Sequence, residues 1–312
     1  MIFQMIEVVL RAYGVDSGRA QVTRLITPWN TGRLLLVKDV HRSFVLKHWK
    51  LSQIEALQRE VTAMAILDNS SFNEFVRQIK TKNGKSFYNT MTGFWTAYRW
   101  IEGDDGPDSL MQGATVLAEK LARLHSVTAH KLPVINKLDI IEKLRSHLAF
   151  LQLPGEDMEL ISRAIRLVVS KKRELESLPK VLIHGDFNLD NVVGWPDKVM
   201  LIDLEFVRRD LRVYDLASLI APRRTNRGSY LISSQEELDF FIMEYEKRLA
   251  RQYMLTDDEY QLLPVATVAY WLIVLTDVST TQRHWTMEVC RVLREAIERV
   301  TSKRRTILGT QE

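Results

Sequence analysis

The strongest constraint in this chain is a change of period near residue 101. Before it, apolar and β-branched runs are short and strand-like: Leu34 to Val37, Ser43 to Trp49, Phe75 to Lys82, Ser86 to Met91 and Phe94 to Ile101. Asn83-Gly84 predicts a type I′ hairpin, and Thr92-Gly93 a second turn. One helix interrupts the strands, from a Ser52 cap to Leu67, with Ile54, Leu57, Val61, Met64 and Leu67 on one face. The polar stretch EGDDGPDS, Glu102 to Ser109, then ends the sheet. Beyond it the apolar spacing is helical over Ala114 to His125, Ile140 to Leu151, Met158 to Leu175 and the region after Gln235. The exception is Val181 to Asp203, where short strands flank a polar loop. A chain of 312 residues is near the upper size of a single core, so the expectation is an α+β protein of two lobes. Residues 1–101 would form an antiparallel sheet plus one helix, and residues 102–312 a mainly helical lobe.

Composition removes several function classes. With 46% hydrophobic and 26% charged residues the chain is of ordinary globular type, not a disordered or fibrous one. A single cysteine, Cys290, closes no internal disulfide and builds no multi-thiolate metal site, which fits a reducing, cytoplasmic setting. Met1 to Leu10 carries no Lys or Arg ahead of its apolar residues, so no targeting segment is read there. Leu262 to Thr276 is shorter than the roughly 20 residues of a membrane span and contains Pro264, so it predicts a buried helix. A net charge of +4 is too small and too dispersed for a nucleic-acid partner.

The chemistry is concentrated in His184-Gly185-Asp186-Phe187-Asn188-Leu189-Asp190-Asn191, followed by Ile202-Asp203-Leu204-Glu205. Two acids and an amide at the mouths of neighbouring strands can converge, with Asp186 taking a proton and Asn191 and Asp203 offering oxygens to Mg²⁺. Phosphoryl transfer needs those parts, because its catalysis is mostly positioning and charge neutralisation. It also needs a lysine for the nucleotide phosphates and a carboxylate to hold that lysine. Lys47, in Phe44 to Trp49, and Glu60, on the helix that follows, are the candidates.

Together these residues resemble the aminoglycoside phosphotransferase and choline kinase family, a branch of the protein-kinase-like fold, from about Arg19 to the C-terminal helices. The string HGDxxxxN with its following Ile-Asp is the family's hallmark; Leu121 to His125 and Tyr214 to Ala217 match its other segments. The resemblance implies a two-lobed kinase-like fold, ATP and Mg²⁺ as cofactors, and transfer of the γ-phosphoryl group to a hydroxyl of a small molecule. It implies Asp186 as catalytic base, Asn191 and Asp203 as metal ligands, and Lys47 on the phosphates beside Glu60. By the same analogy the Arg99 carbonyl and the Ile101 N–H would meet the adenine edge, and Asn30 and Thr31 would lie over the phosphates. The loop Thr27 to Gly32 is poorer in glycine than that of protein kinases.

Other features stay open at this level. Amino alcohols, sugars and aminoglycosides are all acceptors within the family, and the Trp100 to Gly103 segment also resembles the spore-coat CotS-like branch, which would make the chain a nucleotide-binding scaffold. Arg208, Arg209, Arg212, Arg223, Arg224 and Arg227 either border the acceptor site, disfavouring a polycation, or belong to a solvated loop. Glu205 faces either metal or acceptor. His125, His184 and Asp215 are expected in structural hydrogen bonds. Gly84-Lys85-Ser86 lacks the glycine a P-loop requires, since Ile79 stands there. Trp95, Tyr98 and Trp100 read as packing for the core or for an adenine pocket.

Overall fold

The computed structural model describes residues 2–27, 30–128, 132, 138, 141, 153–220, 223–224, 230–231, 233–277 and 283–308. In chain order, α1 (Ile2–Ala12) precedes β1 (Gln21–Thr27), β2 (Asn30–Lys38) and β3 (Ser43–Trp49), followed by α2 (Ile54–Asp68). Then come β4 (Gln78–Ile79), β5 (Tyr88–Thr90), β6 (Gly93–Arg99), β7 (Asp104–Asp105) and α3 (Leu110–His125). After α4 (Gly155–Ser170) and α5 (Lys172–Ser177) lie β8 (Lys180–Ile183), β9 (Val192–Trp195), β10 (Met200–Leu201), β11 (Arg208–Leu211) and α6 (Val213–Ser218). The short β12 (Arg223–Arg224) and β13 (Tyr230–Leu231) lead to α7 (Gln235–Glu246), α8 (Asp257–Asp277) and α9 (Arg283–Leu308). The helix expected over Ile140 to Leu151 lies outside the described residues apart from Ile141.

The chain divides into two compact units, and the division is not a single cut: residues 190–207 join the N-terminal unit of residues 1–106, and the remainder forms the second. In the first unit an antiparallel sheet runs β1-β2-β3-β6-β4, with β5 also on β6. Strand parity decides which side chains meet which helix. On one face, Phe44, Leu46, Trp95 and Ala97 pack against Val9 and Leu10 of α1 and Tyr13 just after it, and the Tyr13 hydroxyl donates to the Trp95 carbonyl at 2.7 Å. The sequence reading missed α1, although Ile6, Val9, Leu10 and Tyr13 recur at helical spacing. On the opposite face of the same two strands, Lys47 and Trp49 stand with Thr96 and Tyr98.

Two local expectations are corrected. Ser52 does not cap α2; a 3₁₀ turn over Leu51–Gln53 precedes the helix, and the Gln53 side chain instead accepts the Lys50 N–H at 3.0 Å. The Asn83-Gly84 turn is not type I′, which requires positive φ at both residues; of the two only Gly84 has it, at 72°. Gly84 N–H bonds the Thr81 carbonyl, and Thr81 N–H the Lys85 carbonyl, each at 2.9 Å, which makes a longer turn ending in left-handed glycine.

β7, β9 and β10 form a small sheet that fastens residues 190–207 to the N-terminal unit. Val76 N–H donates to the Leu201 carbonyl at 3.0 Å and Leu201 N–H to Glu74 at 2.9 Å. The close approach of Gly103 and Gly194 lets the segment after β6 lie against β9: a Cβ on Gly103 would stand 2.8 Å from the Gly194 Cα.

In the second unit, Ser109 caps α3 through the Gln112 N–H at 3.2 Å, and Ser234 with Glu237 forms a capping box on α7. α8 is apolar all round, as a helix buried on every side should be; Val268, Ala269 and Leu272 are fully inaccessible. Its span is long and apolar enough to cross a membrane, but 72% of that window is buried within the protein. β8 pairs antiparallel with β11, a strand inside the arginine-rich segment.

Gly194 has φ +75°, and a Cβ there would stand 2.4 Å from the Lys198 carbonyl oxygen and 2.7 Å from the Ile101 side chain. Gly194→Ala is therefore expected to destabilise the protein by about 2 kcal/mol or more. A urea titration should show a lower midpoint at unchanged slope.

Candidate active site

In the first unit the site is a knot of charge. Lys47 leaves β3 on the α2 side, and Glu60 lies on the buried stripe of α2 with Leu57, Met64 and Leu67. The Lys47 Nζ is 2.7 Å from Asp203 Oδ1, 3.3 Å from Glu205 Oε2 and 3.4 Å from Glu60 Oε2, and it stands 4.0 Å from the centre of the Trp49 ring. Both Lys47 and Glu60 are buried. Burial opposes the lysine's charge, but Asp203, Glu60 and Glu205 outweigh it and raise its pKa above the usual range. Burial raises Glu60, against the pull of Lys47. Burial and then the Asp203 charge push Glu205 up to about 7, with Lys47 acting the other way.

The carboxylates are placed by local backbone. Leu201 pairs with Val192 in the β9-β10 ladder, and Ile202 N–H donates to the Asn191 carbonyl at 3.0 Å. Asn191 and Asp203 thus stand at one end of that strand pair. Asp203 has φ 61° and ψ 61°, a left-handed conformation, and begins a 3₁₀ turn over Leu204–Phe206 that carries Glu205. The Arg59 side chain donates to the Glu205 carbonyl at 3.4 Å. Tyr98 donates its hydroxyl to Glu60, so the ring read as packing also has a polar duty at the knot.

In the second unit, the loop after β8 is tied residue by residue. Asp215 of α6, fully buried, accepts the His184 N–H at 2.8 Å and the Gly185 N–H at 2.7 Å. His125 of α3 lies with Nε2 3.0 Å from the same carboxylate and Nδ1 2.7 Å from the Tyr245 hydroxyl. Ser218 Oγ donates to the Phe187 carbonyl at 2.8 Å. Asp186 itself is half-buried, and its Oδ1 accepts from Asn188 Nδ2 at 2.8 Å and from the Tyr270 hydroxyl at 3.1 Å. Asn188 and Tyr270 were not singled out from the sequence. Asn188 was in plain view inside the loop motif, whereas Tyr270 sits in the apolar run of α8 with no sequence signal of a polar role.

Arg99 closes β6 opposite Phe44, its N–H bonded to the Arg77 carbonyl at 3.0 Å; Ile101 follows and packs on Gly194. Asn30 and Thr31 fall at the start of β2, paired with Thr27 and Ile26; their side chains and the intervening residues 28–29 lie outside the description. The arginine cluster is corrected in part. Arg208 and Arg212 are buried; Arg208 pairs with Asp210 at 2.8 Å, and Arg212 grips Glu259 through Nε at 2.6 Å and Nη2 at 2.5 Å. These two are internal ion pairs rather than an acceptor-facing cationic surface, because each guanidinium has a buried carboxylate partner.

A model of a phosphotransferase enzyme family matches residues 30–253. No curated protein matches the chain. Among solved structures, a microcompartment-associated aminopropanol kinase aligns with TM-score 0.69 at 16% identity, covering 96% of this chain and 98% of its own. The choline kinase LicA from Streptococcus pneumoniae aligns at 0.66 and 14%, covering 94% and 99%. A spectinomycin phosphotransferase, solved with ADP and spectinomycin, aligns at 0.66 and 16%, covering 94% and 97%. At these identities the likeness is one of fold, and that fold is the protein-kinase-like one.

Burial alone would raise the Asp215 pKa, but the hydrogen bonds from His125 and Gly185 outweigh it and hold it below the ordinary carboxylate range. A depressed folded pKa contributes stability that is complete above the unfolded value of about 3.9 and is lost as pH falls through the folded one. Asp215→Asn is expected to cost about 3 kcal/mol at pH 7. Urea unfolding should show the gap to wild type narrowing as pH drops below about 4.

Proposed function

Because this chain belongs to the phosphotransferase enzyme family, we propose that it transfers the γ-phosphoryl group of ATP to a hydroxyl of a small molecule, an amino alcohol or a sugar. The observation that carries this reading is the convergence of Glu60, Asp203 and Glu205, from two separate stretches of sequence, within 3.4 Å of the Lys47 ammonium nitrogen. A buried lysine fixed by carboxylates is what a triphosphate needs in order to be held at a set position.

In this reading Lys47 contacts the phosphates while Glu60, itself held by Tyr98, keeps the lysine in place. The Arg99 carbonyl and Ile101 N–H meet the adenine edge, and Asn30 and Thr31 cover the phosphates. Asp186 receives the acceptor's O–H and orients its oxygen toward phosphorus; as the O–P bond forms and the bond to ADP breaks, the proton passes to the carboxylate. Mg²⁺ fits the oxygen donors of Asn191 and Asp203. When bound, it would neutralise phosphate charge. The aminopropanol and choline kinases among the structural neighbours favour an amino alcohol, and the spectinomycin phosphotransferase keeps an aminoglycoside among the acceptors to be tried.

The test is Mg²⁺-dependent ADP release from ATP across amino alcohols, sugars and aminoglycosides. One class should stimulate release, and Asp186→Asn should reduce the stimulated rate about a hundredfold or more at unchanged ATP affinity. ATP binding without turnover on any acceptor would instead support a nucleotide-binding scaffold.

A further inference from the structure

The loop that carries Asp186 is restrained from two helices. α6 holds its backbone: Asp215 takes the N–H groups of His184 and Gly185, and Ser218 takes the Phe187 carbonyl. None of those bonds fixes the torsions of the Asp186 side chain. The restraint on that carboxylate includes a bond from α8, where the Tyr270 hydroxyl lies 3.1 Å from Oδ1.

Several features make this bond a rigid one. Tyr270 is only 4% exposed, and its ring is packed edge-on against Trp271 at 5.3 Å and beside Tyr214 at 6.4 Å. A buried phenol with two χ angles and packed neighbours has little freedom, so its hydroxyl is a fixed point. Burial, and after it the Asp186 charge, raises the phenol's pKa well above the ordinary value, so the group is an O–H donor and the carboxylate its acceptor. Asn188 Nδ2 donates to the same Oδ1 at 2.8 Å, but from within the loop, so it moves with the loop. Tyr270 comes from a different element and ties the carboxylate to the helical core.

We propose that Tyr270 is a positioning residue: its hydroxyl, anchored in α8, sets the orientation of the Asp186 carboxylate for the acceptor hydroxyl. This rests on the phosphotransferase reading for its catalytic consequence, though not for its geometry. Misplacing a catalytic group by about 1 Å can cost on the order of a hundredfold in rate, and the phenylalanine variant removes one oxygen while keeping the ring that packs.

The experiment compares wild type, Tyr270→Phe, Asp186→Asn and the double variant, using the acceptor that most stimulates ADP release. Tyr270→Phe is expected to lower kcat roughly tenfold or more with the KM for ATP unchanged. Its melting temperature should stay within about 3 °C of wild type. Added to Asp186→Asn, it should cost nothing further, because a residue that acts through Asp186 has no effect once that carboxylate is gone. Wild-type turnover in Tyr270→Phe, or an equal loss in both backgrounds, would overturn the proposal. If the wild-type protein turns over no acceptor, that result strikes the phosphotransferase reading, and crystal structures of wild type and Tyr270→Phe then decide the geometry. A carboxylate that rotates or becomes disordered in the variant supports the restraint, and one that keeps its orientation refutes it.

Discussion

Asp215 is a carboxylate removed entirely from water, and the second unit is organised around what it accepts. Two consecutive backbone N–H groups, of His184 and Gly185, and one imidazole nitrogen, of His125, converge on its two oxygens. A buried carboxylate without such donors would take up a proton. With them it stays charged, and the backbone of the loop after β8 is tied to α6. The bond also couples three separated stretches of sequence, α3, the loop and α6. His125 extends the coupling to α7 by its contact with Tyr245. The position of Asp186 is therefore a property of the helical core and not of the loop alone.

The charge knot of the first unit obeys the opposite logic. There a single ammonium faces three carboxylates, so the set cannot be neutral with every acid ionised. Burial first, and the neighbouring carboxylate charge after it, shifts Glu60 and Glu205 upward, while Lys47 is held firmly cationic. Structural economy would match one buried cation with one acid. In the phosphotransferase reading proposed above, surplus negative charge beside a fixed lysine would suit a ligand that brings both signs, as a triphosphate with its divalent ion does.

Much of this was legible in the sequence for physical reasons. The change from period two to period 3.6 separates the strand-bearing part from the helical part, and a polar loop set between apolar strands is conspicuous. Lys47 and Glu60 are conspicuous too, because charge inside an apolar run or stripe requires a partner. What was not legible depends on tertiary context. β11 reads as a run of charges because Arg208 and Asp210 neutralise each other in the interior. α1 escaped because a short apolar N-terminus declares no partner until the sheet face beneath it is known. The Asn83-Gly84 turn differs in type because Thr81, and not the flanking Lys82, pairs with Lys85 to close the loop. Tyr270 could not be read at all, since one hydroxyl in an apolar helix carries no periodic signal.

The arginines show how such context bears on substrate. Six of them after Asp203 suggest a cationic surface that would repel an aminoglycoside, yet the argument requires the guanidinium groups to face the acceptor. Arg208 and Arg212 face carboxylates in the interior, and Arg212 additionally donates to the carbonyls of Tyr253 and Met254. Its bidentate grip on Glu259 holds the start of α8 against the segment that leads into α6. That is the same pair of helices from which Tyr270 and Asp215 restrain the loop. These two arginines thus serve the rigidity of the frame that holds Asp186, each guanidinium being spent on an interior carboxylate.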